Sequence, residues 1–298
     1  MTRALLELCR ISNLPTVWTN VIAAWVIAGG GARWRPELLW LLLGASLVYS
    51  AGMILNDTFD AAWDRKNRPA RPIASGRIEL RTAWTIGAGG LVGGYAVMVF
   101  AGGANWGVTG WLLGAIVLYD AYHKPWAGSV LVMGSCRTLL YLAAGSAFVG
   151  SSCKSDVIWA LLGVSGAVLG TYIVALSLIA RAEAKGNASN AMRFFMRALL
   201  MLPVAWALWI WSQMQPAIPP FGLIAGIVVL LSFLLWTHRA LQQMRKGGPA
   251  IGEAVGLLLA GIPLVDALMI SPTSPVIACG FCFLPPILRY WQRWVAAT

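Results

Sequence analysis

Long apolar segments separated by short polar stretches dominate the sequence. A membrane-spanning helix needs about 20 predominantly apolar residues, and ten segments come close to or exceed that length. They lie near residues 13–30, 37–62, 81–102, 105–122, 127–150, 156–183, 194–213, 219–242, 251–270 and 275–293. Prolines interrupt the last two. With a mean hydropathy of +0.72 and only 11% charged residues, the composition excludes a soluble protein. The chain is predicted to be an all-α integral membrane protein, one multi-pass domain over residues 1–298 with nine or ten transmembrane helices.

Positive charges are distributed unequally between the two sides that this topology defines. If the N-terminus is cytoplasmic, most of the 22 Lys and Arg residues lie on the cytoplasmic side, while Arg137 lies within a span. Short cytoplasmic loops carry such an excess, so the N-terminus and the loop 57–80 are predicted to face the cytoplasm from the cell (inner) membrane. The net charge of +11 then reflects topology and contact with anionic membrane lipid. Nucleic-acid binding is not predicted, because the charges are spread over short loops.

Three carboxylates follow the second apolar segment at helical spacing. Asp57, Asp60 and Asp64 are three and four residues apart, which places them on one face of a helix. Carboxylates near a bilayer are costly and are usually functional, and three on one face repel each other unless a cation holds them. Mg²⁺ prefers oxygen ligands and binds substrate phosphates together with one or two carboxylates. The pattern predicts a membrane-embedded site for Mg²⁺ and a diphosphate.

The stretch that follows the carboxylates is strongly basic. Residues 65–77 read RKNRPARPIASGR. A metal ion bridges some oxygens of a diphosphate, and Arg or Lys binds the others. A loop that is basic only because it is cytoplasmic is the simpler interpretation, but the ordered Arg-Pro-Ala-Arg-Pro favours a binding role. Residues 57–80 are therefore predicted to form a cytoplasmic substrate-binding loop.

These motifs carry a resemblance to a known family. The pattern N-D-x-x-D-x-x-x-D from Asn56 to Asp64, followed by NRPxRPIxSG at 67–76, resembles the first motif of the UbiA superfamily of intramembrane prenyltransferases. Arg10 to Pro15 resembles the start of the family's first helix, and Tyr119 to Pro125 resembles its basic segment after the fourth helix. The resemblance covers most of the chain and implies a UbiA-type prenyltransferase fold.

The resemblance implies an enzyme that binds a prenyl diphosphate through Mg²⁺ and ionises it to an allylic carbocation. An apolar cavity shields the cation until a lipophilic or aromatic acceptor captures it. The catalytic positions that match the first motif, three of them metal ligands, are Asn56, Asp57, Asp60 and Asp64. The basic positions expected beside the diphosphate are Arg68, Arg71 and Lys124.

The family's second acidic motif, expected on the sixth helix, is altered here. Ser177 and Arg181 stand at the spacing of its two carboxylates, and Glu183 is the only acid nearby. Three interpretations follow. In the first, one Mg²⁺ suffices, and Arg181 or Lys185 replaces a second cation at the diphosphate. In the second, Glu183 reaches the metal from a neighbouring turn. In the third, catalysis is lost, and the protein binds or translocates an isoprenoid lipid or another hydrophobic metabolite.

Arg137 lies in the middle of a predicted span, where a cation must be paired or hydrated. It could hold a carboxylate on the acceptor, or it could pair with Asp120 or Glu183. His123 is expected at the membrane interface without a catalytic role, because it has no evident second ligand. The segments 124–128 and 137–141 look most similar to a divergent bacterial and plastid subgroup called EboC-like.

Cysteine labelling tests the predicted orientation. In a background without native cysteines, Ser75→Cys should remain unlabelled by a membrane-impermeant reagent in intact cells, whereas Ser152→Cys should be labelled. The charge asymmetry places the first residue inside and the second outside. The reverse labelling pattern would overturn the orientation and the side from which the diphosphate arrives.

Overall fold

The computed structural model describes residues 2–31, 34–124, 126–149, 155–184, 190–214, 219–246, 248 and 250–294, and these residues contain helices but no strands. The α-helices are α1 (Thr2–Leu8), α2 (Leu14–Trp25), α3 (Pro36–Phe59), α4 (Ala61–Asn67), α5 (Leu80–Ala96), α6 (Trp106–Tyr122), α7 (Ser129–Val149), α8 (Ser155–Ala184), α9 (Asn190–Met214), α10 (Pro220–Arg245), α11 (Ala250–Ala260), α12 (Ile262–Ile270), α13 (Pro275–Phe281) and α14 (Leu284–Trp291). A 3₁₀ turn at Ile11–Asn13 precedes α2, and π-helical turns extend α2 over Val26–Gly30 and α5 over Val97–Ala101.

Within the described residues, eight helical segments are long and apolar enough to cross a membrane, judged by length and composition. They are Ile11–Gly30, Pro36–Phe59, Leu80–Ala101, Ser129–Val149, Ser155–Arg181, Asn190–Met214, Pro220–Arg245 and Ala250–Ile270. The other two predicted spans are shorter. Helix α6 has 17 residues, and the C-terminal segment is divided into α13 and α14. The all-α multi-pass fold is confirmed, and its number of spans depends on how these shorter segments are counted.

The most buried helices form the centre of the bundle. Nearly every residue of α12 and most of α11 are buried, as is most of α2. A kink separates α11 from α12, where Pro263 has no N–H to donate. The carbonyls of Leu257 and Leu258 beside the kink accept hydrogen bonds from Trp236 Nε1 at 2.7 Å and from the Tyr172 hydroxyl at 2.9 Å. The backbone N–H of Gly261 also donates to both carbonyls, at 2.9 and 3.1 Å, so side chains of neighbouring helices add hydrogen bonds at the kink that lipid could not supply.

The outer face of the bundle is apolar. On α10, large apolar side chains at spacings of three and four residues point outward. The residues on the opposite face are buried, whatever their size. The exposed set is Leu223, Ile227, Leu231 and Leu234, and the buried set is Gly222, Ala225, Gly226, Val229 and Phe233. A soluble monomer rarely exposes so continuous an apolar stripe. This pattern agrees with helices that contact lipid on one side and protein on the other.

The loop between α4 and α5 covers a small apolar cluster of its own. Residues from α1, α3, α4, the loop and α5 form it: Ala4, Leu8, Ile54, Ala61, Ile73, Ile78 and Ala83. Arg77 donates to Glu7 Oε2 at 2.8 Å and to the carbonyl of Ala70 at 2.9 Å, which ties the loop to α1. Within the predicted loop 57–80, Asp60 and residues 68–79 lie outside helices, so the non-helical part of this loop is shorter than expected. Its fixed path places Arg71 at the end of α3.

Helices α7 and α8 cross at a pair of glycines. A Cβ atom at Gly170 would lie 2.8 Å from the carbonyl oxygen of Gly134 and 2.6 Å from Thr138 Oγ1, and a Cβ at Gly134 would lie 2.7 Å from the carbonyl oxygen of Gly170. Real Cβ atoms do not approach so closely. Small residues at such crossings let two backbones approach in a membrane.

Substitution of Gly170 tests this crossing. Gly170→Ala should push α7 and α8 apart and destabilise the protein by roughly 1–3 kcal/mol, the usual cost of overpacking. The matched control is Gly163→Ala on the same helix, because a Cβ atom there meets nothing within 4 Å. The measurement is the apparent unfolding temperature in detergent. Equal temperatures for the two variants would contradict the close crossing.

Candidate functional site

Two of the predicted carboxylates share one arginine at the end of α3. Arg71 Nη1 donates to Asp57 Oδ1 at 3.1 Å and to Asp64 Oδ2 at 2.8 Å. Asp57 and Asp64 are 6% and 1% exposed, so both charges would be costly without this partner. The proline-containing loop that follows α4 brings Arg71 to the end of α3. The structure therefore brings together three of the residues that the sequence predicted.

The third carboxylate, Asp60, points to a different partner. The helix is interrupted at this residue, which has φ −80° and ψ −5°. Lys124 Nζ lies 2.6 Å from Asp60 Oδ1, and His123 Nε2 lies 3.4 Å from Asp60 Oδ2. Asp60 thus has different partners from Asp57 and Asp64, which pair with Arg71, and the binding of one metal ion by all three carboxylates stays a prediction.

His123 belongs to this network, contrary to the expectation of a purely interfacial residue. Its hydrogen bond with Asp60 is the main factor that raises the pKa of the His123 imidazole. Its other ring nitrogen, Nδ1, lies 3.3 Å from the carbonyl oxygen of Asp120. Both nitrogens thus face acceptors, which favours the doubly protonated ring. Burial acts to raise the pKa of Asp60, but the hydrogen bonds from His123 and Lys124 outweigh it and lower that pKa.

Asn56 links the first motif to α6. Its side-chain amide donates to Asp120 Oδ1 at 3.1 Å. Asp120 is 2% exposed, and its other oxygen has no hydrogen-bond partner among the described residues. Asn56 therefore orients a buried carboxylate next to the cluster. Among the described residues no ion pair joins Asp120 to Arg137, which donates to Asn20 and Thr16 instead, so the pairing considered for these two residues is not formed.

Arg10 is a member of the site that motif spacing did not reveal. Its Nη2 donates to Asp57 Oδ1 at 3.2 Å. The residue has φ 44° and ψ 49°, a left-handed conformation that costs a non-glycine residue roughly 1–2 kcal/mol. This conformation turns the chain between α1 and α2 and directs the guanidinium at the carboxylates. The sequence held one signal, the resemblance of Arg10 to Pro15 to the family's first helix.

Arg68 lies at the edge of the site, not within it. It is exposed and its guanidinium carbon is 5.9 Å from the centre of the Trp63 ring. Lys124 Nζ lies over the same ring at 4.0 Å. The structure therefore places Arg68 near Lys124 but outside the ion pairs that join Arg71 to Asp57 and Asp64.

An apolar cavity of about 360 Å³ opens beside the charged cluster. Residues of α3, α6, α7, α8 and α11 line it. Arg10, Asp120 and Arg181 stand at one end, and Arg137 lies among the apolar residues further along. Tyr49 and Tyr119 contribute aromatic walls. The cavity therefore joins a polar end rich in cations to an apolar interior.

The altered second motif faces this cavity. Ser177 and Arg181 both line it. Arg181 Nη2 donates to Ser129 Oγ at 3.0 Å, and its Nη1 donates to the carbonyl of Ala127 at 3.2 Å. Ser177 Oγ bonds to the carbonyl of Ile173 in its own helix at 2.8 Å. A cation thus stands where the family motif has a carboxylate. The Glu183 side chain and Lys185 lie outside the described part of the chain.

Arg137 is held by neutral partners from α2. Its Nη1 donates to Asn20 Oδ1 at 2.5 Å, and its Nη2 donates to Thr16 Oγ1 at 3.2 Å. It is also 5.9 Å from the centre of the Tyr49 ring. Among the described residues, Arg137 has no ion pair within 4 Å.

A magnesium site can be tested against this geometry. No three His, Cys, Asp or Glu side chains form a metal-binding group within the described residues. The pair Asp57 and Asp64 nevertheless fits Mg²⁺ bound with a diphosphate, because such sites use one or two carboxylates. Both converge on one cationic nitrogen of Arg71, and Asp64 Oδ1 is buried without a partner among the described residues.

The described helices form an apolar bundle, with acidic and basic side chains next to an apolar cavity. A family model described as the UbiA prenyltransferase family matches residues 16–252. The chain belongs to that family, and it is an integral, multi-pass membrane protein. The resemblance seen in the motifs is confirmed.

Individual relatives agree with this assignment. The 4-hydroxybenzoate octaprenyltransferase of Paracidovorax citrulli (strain AAC00-1) is 28% identical over 251 residues, which is 79% of this chain and 81% of the relative. The digeranylgeranylglyceryl phosphate synthase of Methanopyrus kandleri is 41% identical over 81 residues, covering 27% of this chain and 29% of that one. These relatives are named as enzymes that transfer prenyl groups.

Two solved structures share the fold. A structure from work on digeranylgeranylglyceryl phosphate synthase in membranes has a TM-score of 0.60 at 19% identity, covering 92% of this chain and 99% of that one. The apo structure of a UbiA homolog from Aeropyrum pernix K1 has a TM-score of 0.59 at 15% identity, covering 88% and 96%. At these identities the likeness concerns the fold alone.

Arg71→Gln tests the cation position between Asp57 and Asp64. Loss of one partner from a buried ion pair costs about 3 kcal/mol or more, so the apparent unfolding temperature without divalent ions should fall. Mg²⁺ should then stabilise the variant more than it stabilises the wild type, because Asp64 loses its cationic partner and Asp57 keeps only Arg10. Arg68→Gln is the matched control, since Arg68 pairs with neither carboxylate. Equal stabilisation of all three proteins by Mg²⁺ would exclude a divalent site here.

Proposed function

We propose that the protein transfers a prenyl group from a prenyl diphosphate to a lipophilic or aromatic acceptor, with Mg²⁺ as cofactor, inside the membrane. The observation that carries this proposal is the cavity of about 360 Å³, apolar along its length and bounded at one end by Arg10 and Arg181. A prenyl diphosphate has the same division into an apolar chain and a multiply charged head. The names of the relatives, which include a hydroxybenzoate and a glyceryl phosphate enzyme, support a prenyl donor.

Asp57 and Asp64 would hold the Mg²⁺, and the basic residues would bind the diphosphate. In the structure the carboxylates are paired with Arg71 and Arg10 instead. With a metal ion bound, Asp57 and Asp64 would pair with it in place of these cations. The arginines are then free to donate to phosphate oxygens, which guanidinium groups bind in a planar, bidentate way. The site thus keeps its net charge balanced in both states.

Arg181 lines the cavity, and Lys124 belongs to the charged cluster beside it. Asp60 holds Lys124, and the carbonyl of Ala127 helps to fix Arg181. Fixed cations at the leaving oxygens stabilise the charge that develops as the carbon–oxygen bond breaks. Mg²⁺, when bound, would supply further stabilisation of the same charge. Arg181 would replace charge that a second metal would otherwise supply, and Lys185 is proposed to assist it.

The cavity interior would shield the allylic cation. Its apolar walls exclude water, which otherwise would capture the cation before the acceptor does. The rings of Tyr49 and Tyr119 offer π faces that attract a cation. The acceptor would enter from the membrane, and the cytoplasmic orientation predicted from the charges would bring the diphosphate from the cytoplasm.

A non-catalytic role is the second candidate. Ser177 and Arg181 occupy the positions of two expected carboxylates, and this difference favours a protein that binds or translocates an isoprenoid lipid without turnover. The two candidates differ in one measurable product. A transferase releases pyrophosphate from a prenyl diphosphate, and a lipid-binding protein does not.

Pyrophosphate release is therefore the test. Purified protein in nanodiscs, given geranylgeranyl diphosphate, Mg²⁺ and a panel of aromatic acceptors, should release pyrophosphate and form a prenylated product. Asp57→Asn should lower the rate by more than about tenfold because it removes an anionic metal ligand. Asp156→Asn, an exposed carboxylate at the start of α8, should leave the rate unchanged.

The altered second motif is tested by binding of the same diphosphate. Arg181→Lys should lose part of the affinity and Arg181→Ala most of it, because lysine cannot donate in a plane to two oxygens. Undiminished binding in Arg181→Ala, with no pyrophosphate released by the wild type with any acceptor, would favour the non-catalytic role.

A further inference from the structure

A second cavity, of about 320 Å³, lies between the ends of three helices. The end of α8, the start of α9 and the end of α10 line it. We call it the arginine groove, and its lining residues are Ile179, Arg193, Met196, Arg197, Leu241, Met244 and Arg245. On α8, Ile179 faces this groove, whereas Arg181, two residues later, faces the cavity beside the charged cluster. The two cavities thus lie on different sides of α8, near the same end of the bundle.

Helices α9 and α10 present a similar arrangement of side chains to the groove. Each contributes three lining residues at spacings of three and four, which lie on one helix face. In each set a methionine is followed directly by an arginine. The set on α9 is Arg193, Met196 and Arg197, and the set on α10 is Leu241, Met244 and Arg245.

The groove combines an apolar floor with a cationic rim. Ile179, Met196 and Met244 are 1%, 2% and 8% exposed, so they form the floor. Arg193 and Arg245 are exposed, and Arg197 is half-buried. A guanidinium keeps its charge in water while its stem covers apolar surface. The groove is therefore suited to a ligand with an anionic group next to an apolar one.

Two arginines of the rim have no anionic partner within the described part of the chain. No carboxylate there lies within 4 Å of Arg197 or Arg245. The first turn of α9 also contains no acidic residue, although negative charge is favourable at the N-terminus of a helix. An anion bound in the groove would compensate the charge of both helices.

Exposed phenylalanines indicate that the groove lies at the boundary of the membrane. Phe194 and Phe195 directly follow Arg193 and are 76% and 53% exposed. Apolar aromatic side chains next to arginines are typical of helix segments at the level of the lipid headgroups. The charge asymmetry of the sequence predicts that this end of the bundle faces the cytoplasm, where the leaflet contains anionic lipid. The anion is therefore expected to come from the membrane.

We propose that the arginine groove binds the headgroup of an anionic phospholipid, with Arg197 and Arg245 donating to its phosphate oxygens. Guanidinium groups bind phosphate oxygens through paired N–H donors, and the buried methionines would lie under the glycerol and the first carbons of the acyl chains. A zwitterionic lipid is disfavoured because its ammonium group would lie beside the arginines. The volume of the groove is at the lower end of the range for small-molecule sites, which suits a headgroup. The inference does not depend on prenyl transfer.

Lipid binding to the wild-type protein gives the first test. The probes are dioctanoyl phosphatidylglycerol, dioctanoyl phosphatidylcholine and inorganic phosphate, titrated into the protein in a neutral detergent and followed by native mass spectrometry. One phosphatidylglycerol should bind at least about tenfold more tightly than phosphatidylcholine, because the anionic headgroup makes hydrogen bonds to charged groups without a competing cation. Equal binding of the two lipids would overturn the proposal, and this comparison needs no variant to fold.

Inorganic phosphate distinguishes a lipid from a soluble anion. It has the same oxygens as the headgroup but nothing to cover the apolar floor. It should therefore displace bound phosphatidylglycerol only at concentrations at least about a hundredfold higher than the lipid, which corresponds to two factors of ten in affinity. Displacement at equal concentrations would show that the groove binds a soluble anion, and the proposed lipid would be wrong.

A pair of double variants gives the second test. Arg197→Gln with Arg245→Gln should weaken phosphatidylglycerol binding by at least about tenfold and leave phosphatidylcholine binding unchanged. The matched control is Arg239→Gln with Lys246→Gln. It removes the same charge from exposed residues at the end of α10 that do not line the groove, and it should change phosphatidylglycerol binding by less than about threefold. An equal loss in both double variants would show general attraction to a basic surface and would contradict the proposal.

Discussion

Compensation of charge at the end of α3 is the constraint on which the site depends. Asp57 and Asp64 are buried at the boundary of a membrane helix, where an unpaired carboxylate costs several kcal/mol. Their cations come from two places far apart in the sequence, Arg10 from the turn after α1 and Arg71 from the loop after α4, and Lys124 at the end of α6 pairs with the neighbouring Asp60. Neutralising the carboxylates therefore also assembles the polar end of the cavity.

The cavity itself separates two kinds of polar group. At one end, cations and carboxylates lie in contact, and a change of ligand can redistribute their pairing. Further inside, Arg137, Asn20 and Asp266 form a chain in which a neutral amide keeps opposite charges apart. The two arrangements differ in how charge is compensated, by direct ion pairs in the first and through a neutral amide in the second. Between them lie apolar walls and two tyrosine rings.

Much of this fold could be predicted from hydropathy and from the motif that begins at Asn56. The helices follow the apolar segments, and Arg71 meets Asp57 and Asp64 as the basic loop suggested. The partners of Asp60 could not be predicted, because His123 and Lys124 reach it from the end of α6, and the spacing of the carboxylates does not encode contacts between distant segments.

Other parts of the site depend on tertiary contacts or on local conformation that composition does not encode. Arg10 reaches Asp57 only because its backbone adopts φ 44°, which no motif spacing indicates. The link from Asn20 to Asp266 joins residues 246 positions apart, and each of them alone resembles an ordinary polar residue in a helix. The same holds for Gly134 and Gly170, whose meeting depends on how α7 and α8 cross.

The length of α6 has a consequence for how substrates reach the site. Its 17 residues measure about 26 Å, less than the roughly 30 Å of a typical hydrocarbon core. A short helix is accommodated by local thinning of the bilayer or by sinking of its end below the headgroups. The C-terminal end of α6 carries Asp120, and His123 and Lys124 follow it directly. Hydrophobic mismatch would therefore thin the bilayer locally over the charged cluster. The diphosphate head of a prenyl diphosphate could then reach the cluster from the aqueous side, while its isoprenoid chain enters the cavity from the lipid.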